Sequence, residues 1–262
     1  MIARPTQRRG FLVVGLGLAA LAWALLAGWS ASPWARFLEH GDWAARPGFL
    51  GGLCAALPGG GVLLPALGYA GGWLLMLTAM MLPTALPVLA VLERMTARRP
   101  DGRRLLALAA AGYLAAWAGF GLAAHLLDAA LLALVRSDWP VLDSRMLASA
   151  VLALAGAFQL SGLKRRCLDR CRSPVGQVMA RWRGRRPGRE ALAIGWTHGV
   201  FCVGCCWALM LVMVAVGAGS LGWMLALGLA MAAEKNLPRG RLLSTPLGIG
   251  LVSAAAATAA LA

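Results

Sequence analysis

Stretches of about 20 mainly apolar residues recur along this chain, each long enough to cross the roughly 30 Å hydrocarbon core of a bilayer as a helix. They fall at approximately 11–31, 71–92, 105–127, 146–163, 193–217, 221–237 and 242–262. Runs of that kind predict an all-α fold, a single membrane domain over 1–262 built as a bundle of about seven transmembrane helices against lipid. Composition agrees: 13% of residues are charged, against roughly a quarter in soluble domains. The segment from Pro47 to Gly72 is apolar too, but Pro47, Pro58, Gly59, Gly60, Gly61 and Pro65 interrupt it, which predicts an interfacial or re-entrant piece.

The formal charge of +15 would suit nucleic acid in a soluble protein. Here the position of the charges argues otherwise. With seven spans, 21 Lys and Arg residues fall on one side, in the N-terminal segment, between Arg94 and Arg104, between Lys164 and Arg189, and at Lys235, Arg239 and Arg241. Only Arg36, Arg46, Arg136 and Arg145 fall on the other. By the positive-inside rule the N-terminus is cytoplasmic and the C-terminus extracytoplasmic, in a bacterial inner membrane, with a basic cytoplasmic loop over 164–192. The charge is then topological and no nucleic-acid partner is expected. Arg8 and Arg9 ahead of the first apolar run also resemble a signal peptide, but a run of about 19 residues carrying Trp23 and Trp29 reads better as an uncleaved span.

Two cysteine clusters hold the chemistry. Cys167 and Cys171 lie four apart, just past the fourth span, so a helix there puts both sulfurs on one face. The surrounding arginines and Lys164 favour thiolate, the metal-binding form, and a reducing cytoplasm argues against a structural disulfide. The alternative is two juxtamembrane cysteines among topology-setting arginines. The second cluster, on the fifth span, places His198, Cys202, Cys205 and Cys206 within nine residues at helical spacings. Histidine is costly inside a bilayer and marks function there by default, whereas buried cysteine alone often only packs and Gly199 and Gly204 are compatible with close helix approach.

Methionine adds a third set. Met76 and Met80 share a face of the second span, Met81 lies near its middle, and Met210, Met213 and Met224 lie toward the outer half of later spans. Pro83 and Pro87 interrupt the second span close to the same depth. A methionine stripe is ordinarily core or lipid-facing filler; thioethers level with thiols and an imidazole instead suit Cu(I), with zinc as the other candidate. Carboxylates for hard cations are missing from these central stretches.

Other polar residues read as structural. Gln159 bonds a neighbouring helix, Glu234 and Lys235 anchor the sixth span at the cytoplasmic interface, and His125, Asp128, Glu39, His40 and Asp42 are solvated near the outer surface. Cys54 has no partner in sequence. No phosphate-binding loop, dinucleotide fingerprint or protease motif is present, which disfavours an ATP-driven pump or a soluble-type hydrolase.

Met76 through Pro87, Gly112-Tyr113-Leu114-Ala115-Ala116-Trp117, Gln159-Leu160 with Lys164 through Pro174, and His198 through Met210 with Glu234-Lys235 together resemble a bacterial integral-membrane family of unknown function. That family is described as predicted metal-binding and its members are sometimes labelled copper chaperones. The resemblance runs from about Trp73 to Leu237, leaving the terminal spans outside. It implies Cys167, Cys171, His198, Cys202, Cys205 and Cys206 as the metal set and supplies no reaction.

Three functions compete. In the first, the protein handles Cu(I), taken up at Cys167 and Cys171, held at His198, Cys202, Cys205, Met80 and Met81, and passed by Met76, Met210 and Met213 toward an extracytoplasmic or membrane acceptor protein. Cys202 lies roughly 14 Å inside the span, so the cysteine clusters form two sites unless the basic loop folds inward. In the second, the chain is a membrane thiol-disulfide oxidoreductase; in the third, a non-catalytic subunit with a structural metal or packing cysteines.

Overall fold

The computed structural model describes residues 5–32, 63–135, 144–216 and 221–260, and among these every regular element is helical. In chain order they are α1 (Pro5–Ser30), α2 (Leu63–Thr96), α3 (Gly102–Val135), α4 (Ser144–Leu160), α5 (Gly162–Cys171), α6 (Pro174–Arg181), α7 (Pro187–Val216), α8 (Leu221–Asn236), a 3-10 turn (Gly240–Leu243) and α9 (Ser244–Ala260).

Among the described residues five helical stretches are long and apolar enough to cross a membrane: Gly10–Ser30, Gly71–Thr96, Gly102–Ala124, Pro187–Met213 and Gly240–Ala260. The number rises to six if α4 and α5 count as one span bent by 66°. Seven spans are not seen among the described residues, where α8 has 16 residues, about 24 Å at the helical rise. Leucines and valines such as Val13, Leu21, Leu126 and Leu229 cover the outside of the bundle.

Three further departures from expectation have local causes. Pro65 does not break α2, which starts at Leu63; in the first turn a missing N–H costs nothing. The rest of the apolar segment, through residue 62, lies outside the described residues. Pro83 and Pro87 stay inside one continuous helix. Pro83 cannot bond the carbonyl of Ala79, and the Trp23 indole of α1 donates to that oxygen instead, at 3.1 Å. Finally, 164–192 is not an open loop. Ser161 ends α4, and its hydroxyl accepts from the Lys164 N–H to start α5. Pro174 opens α6 in the position where proline is best tolerated, and the Glu190 carboxylate accepts from the backbone N–H groups of Arg183, Gly184, Arg185 and Arg186.

The most extensive packing is α3 on α7, running parallel. Glycines make it possible: a Cβ on Gly195 would run into the Ala109 carbonyl, and one on Gly112 into the Leu192 carbonyl. The two helices therefore touch backbone to backbone, which brings Tyr113 beside His198 one turn further along. α4 packs on α9 and α1 on α2. At the basic end, Val88, Leu92, Leu105, Ala109, Val178, Ala191 and Ile194 form a small core that ties α6 to α2, α3 and α7.

Candidate metal centre

The chain reversal at Ser161 is what builds the site. α5 folds back onto α7, and the face that carries Cys167 and Cys171 is turned to the helix that carries Cys202, Cys205 and Cys206. The Cys171 thiol is buried in one core with Cys202, Cys205 and Cys206 and is turned toward Cys202 and Cys205. Cys167 lies against Gly204, its sulfur 3.1 Å from where a Cβ on that glycine would stand. The expected separation into two cysteine sites is thereby corrected: the basic segment folds inward and the thiols form one cluster. All five are free, and all but Cys167 are buried.

Around Cys202, the centre of the cluster, three helices supply partners. Tyr113 of α3 brings its hydroxyl to 3.3 Å from Cys202 Sγ and 3.3 Å from the Met81 carbonyl. Thr84 of α2 lies 3.8 Å from the same sulfur and donates to Met81 O at 2.8 Å. Lys235 of α8 places Nζ 3.0 Å from Cys202 Sγ, 3.6 Å from Cys206 Sγ and 3.8 Å from Met81 Sδ. The Cys205 and Cys206 thiols both donate to the Cys202 carbonyl, at 3.1 and 2.8 Å.

His198 is buried one turn before Cys202. Its ring stacks on Tyr113 with centroids 5.6 Å apart, and Nδ1 meets Gln177 Oε1 at 3.1 Å. That contact makes Nδ1 the protonated nitrogen, so Nε2 carries the free lone pair. Nε2 is buried and has no hydrogen-bond partner. A buried imidazole with one nitrogen fixed by an amide and the other left open has the form of a metal ligand held by its outer partner.

The methionines divide. Met81, fully buried, brings its sulfur to the cluster. Met76, Met80, Met210, Met213 and Met224 are buried in the same apolar core as the cysteines, with Met231, which the spacing argument did not single out. Met80 packs toward Gly228.

Two interface assignments are overturned. Glu234 and Lys235 do not snorkel; they are 1% and 7% exposed. Glu234 pairs with Lys164 at 2.7 Å and accepts from Ser244 at 2.7 Å and from Gln159 at 3.3 Å. The Lys164 ammonium is thus spent on a carboxylate and is not the thiols' activating charge. Lys235 holds that place. Arg172 binds the carbonyls of Glu234, Leu237 and Pro238, fastening the end of α8 to α5. Lys235, Tyr113, Thr84 and Gln177 are the site residues that the reading of motifs passed over. For Lys235 the signal was there, an ionisable residue within a predicted span.

Among the described residues no three His, Cys, Asp or Glu side chains already stand in the closed geometry of a metal centre, and nothing in the arrangement favours zinc, which asks for such a tetrahedral set. Buried thiols and the Met81 thioether share one core, and the His198 imidazole lies one turn before Cys202, beside Tyr113. Cys54, Glu39, His40 and Asp42 lie outside the described residues, as do the side chains of His125 and Asp128.

No curated protein and no solved structure matches this chain. A family does: PpoB2, described as Copper chaperone, matches residues 70–258, which takes in α9 as well as the stretch to Leu237 that the motifs covered. That match spans well over half of the sequence, and the chain belongs to this copper chaperone family.

Proposed function

We propose that the protein holds Cu(I) within the bundle and hands it to an acceptor protein on or beyond the outer face of a bacterial inner membrane. The observation that carries this reading is the meeting of Cys171 from α5 with Cys202 and Cys205 of α7. Thiols recruited from two separate segments of chain, beside an imidazole with an open nitrogen and a thioether, form a set that a soft monovalent ion prefers over water. Cys202, the sulfur nearest the Lys235 ammonium, is the anionic ligand, and the Cys171, Cys205 and Cys206 thiols, His198 Nε2 and Met81 Sδ are the neutral donors. Cys167, half-buried at the edge of the cluster, receives the ion. Met76, Met80, Met210 and Met213 offer thioethers further along the core.

The orientation follows from charge. The α2–α3 turn, α5 with α6, and the turn after α8 all carry arginines and gather at one end of the bundle, so that end faces the cytoplasm. The N-terminus is then cytoplasmic, and α9 carries the C-terminus outward.

Metal content of protein purified anaerobically under reducing conditions tests the reading. Near-stoichiometric copper in the wild type, lost in a His198→Ala, Cys202→Ser, Cys205→Ser variant that retains its helical circular dichroism, is the expected result. Copper retained by that variant sinks the assignment, and a disulfide that cycles under thiol trapping would replace it with redox chemistry.

A further inference from the structure

The sulfur cluster contains a cation of its own. Lys235 Nζ stands 3.0, 3.6 and 3.8 Å from the sulfurs of Cys202, Cys206 and Met81. Its chain neighbour Glu234 faces away, committed to Lys164, Ser244 and Gln159. Among the described residues Lys235 makes no ion pair with a carboxylate; the groups around it include Cys202, Cys205, Cys206 and Cys171, with Met81, Tyr113 and His198. An ammonium buried in a helical bundle is unfavourable unless negative or polarizable partners surround it, and here those partners are the ligands themselves.

Two cations do not fit there together. Metal–thiolate bonds run at about 2.3 Å for zinc, and a soft monovalent ion between Cys202, Cys206 and Met81 would fall inside the contact radius of Nζ. We propose that Lys235 is a resident cation, which occupies the empty site, leaves it when Cu(I) enters and returns when Cu(I) is passed on. This rests on the Cu(I) reading given above and names how the same site is loaded and emptied. The exchange is one positive charge for one positive charge. The proton stays on Nζ, no sulfur changes oxidation state, and the buried charge is the same before and after.

A mainly apolar groove of about 440 Å³ runs past Asn236, the next residue in the chain after Lys235, with Leu12, Pro83, Leu86, Pro87 and Arg94 in its wall. Arg94 is itself a cation, so the acceptor there for the displaced ammonium is the Pro83 carbonyl, which Pro87, having no N–H, leaves without its helical donor. Arg172 binds the carbonyls on either side of Lys235, at Glu234 and at Leu237 and Pro238, and belongs to the turn that follows Cys171. Movement of Lys235 therefore pulls on the segment that supplies the ligand from α5.

The test compares the full-length wild type with Lys235→Leu, which removes the charge and adds no Cu(I) ligand. Amide hydrogen exchange over 233–241 is followed with and without Cu(I), and the rate of Cu(I) transfer to bicinchoninate is measured for both proteins. In the wild type, loading should raise exchange across 233–241 about threefold or more. In Lys235→Leu it should leave exchange unchanged, and transfer should slow about tenfold because no internal cation replaces the ion as it leaves. A wild type that loads without any change at 233–241 overturns the proposal, as does a Lys235→Leu protein that transfers at the wild-type rate. The wild-type exchange comparison decides the matter even if the variant fails to fold. A wild type that takes up no Cu(I) overturns the functional reading instead, and this proposal with it.

Discussion

A buried ion pair next in the chain to Lys235 sets what single substitutions can do here. Lys164 and Glu234 are both shielded from solvent, so removing one charge leaves the other stranded in a medium that cannot solvate it, a cost of about 3–5 kcal/mol. Glu234→Gln is expected to lower the thermal midpoint sharply, and Lys164→Met combined with Glu234→Met to recover most of the loss; thermal unfolding in detergent checks both, and a single variant as stable as the wild type would contradict the pairing. Tyr113→Phe removes one hydroxyl that touches Cys202 Sγ and the Met81 carbonyl. Its cost to stability should be about 1 kcal/mol, with weaker copper retention measured by chelator competition. At this scale the sequence was informative about donors and silent about their partners. His198, Cys202 and Cys205 announce themselves because imidazole and thiols are uncommon in apolar helices. Lys235 looked like an interfacial anchor because it closes an apolar run, and only the packing of α8 against α2 and α7 turns its ammonium inward.

Helix boundaries decided whether the cysteines form one site or two. Hydropathy alone carries the fourth span through residue 163 and leaves Cys167 and Cys171 in a basic loop. Ser161 stops the helix, caps the next one and bends the chain by 66°. Serine near the end of an apolar run is an ordinary signal, and its effect depends on where α5 finds a surface to pack on, which no local pattern records. Ser161→Ala removes the cap and should cost about 1 kcal/mol, with copper retention falling as α5 loosens; cross-linking between Cys171 and Cys202 reads the loosening directly and should drop. The α3–α7 contact is less forgiving. Gly195→Ala drives a methyl group into the Ala109 backbone, and overpacking of this kind costs about 1–3 kcal/mol. It should also part Tyr113 from His198, so that copper is lost together with stability; a Gly195→Ala protein that retains full copper would show that the close approach is not required.

For the whole molecule, the packing ties depth to charge. α1 runs antiparallel to α2, with Gly15 against Leu86 and Trp23 bonded to Ala79, so its N-terminal end lies at the level of Arg94. α9 starts beside Glu234 through Ser244 and pairs antiparallel with α4, where Ser149 bonds the Ala255 carbonyl at 2.9 Å. The start of α1 and the end of α9 therefore lie at opposite ends of the bundle, whatever the span of α8. Hydropathy expects a seventh span where the described part of α8 has 16 residues, shorter than a crossing helix ordinarily needs, and the charge asymmetry expects the two ends on opposite sides, a matter of which turns gather together. Fusion of a periplasm-dependent phosphatase at Ala262 should be active and at Asp101 inactive, with a cytoplasm-dependent fluorescent reporter giving the reverse. An active phosphatase at Asp101 would invert the bundle. Cys167 would then open to the outer face, and the ion would travel from that face toward the cytoplasm.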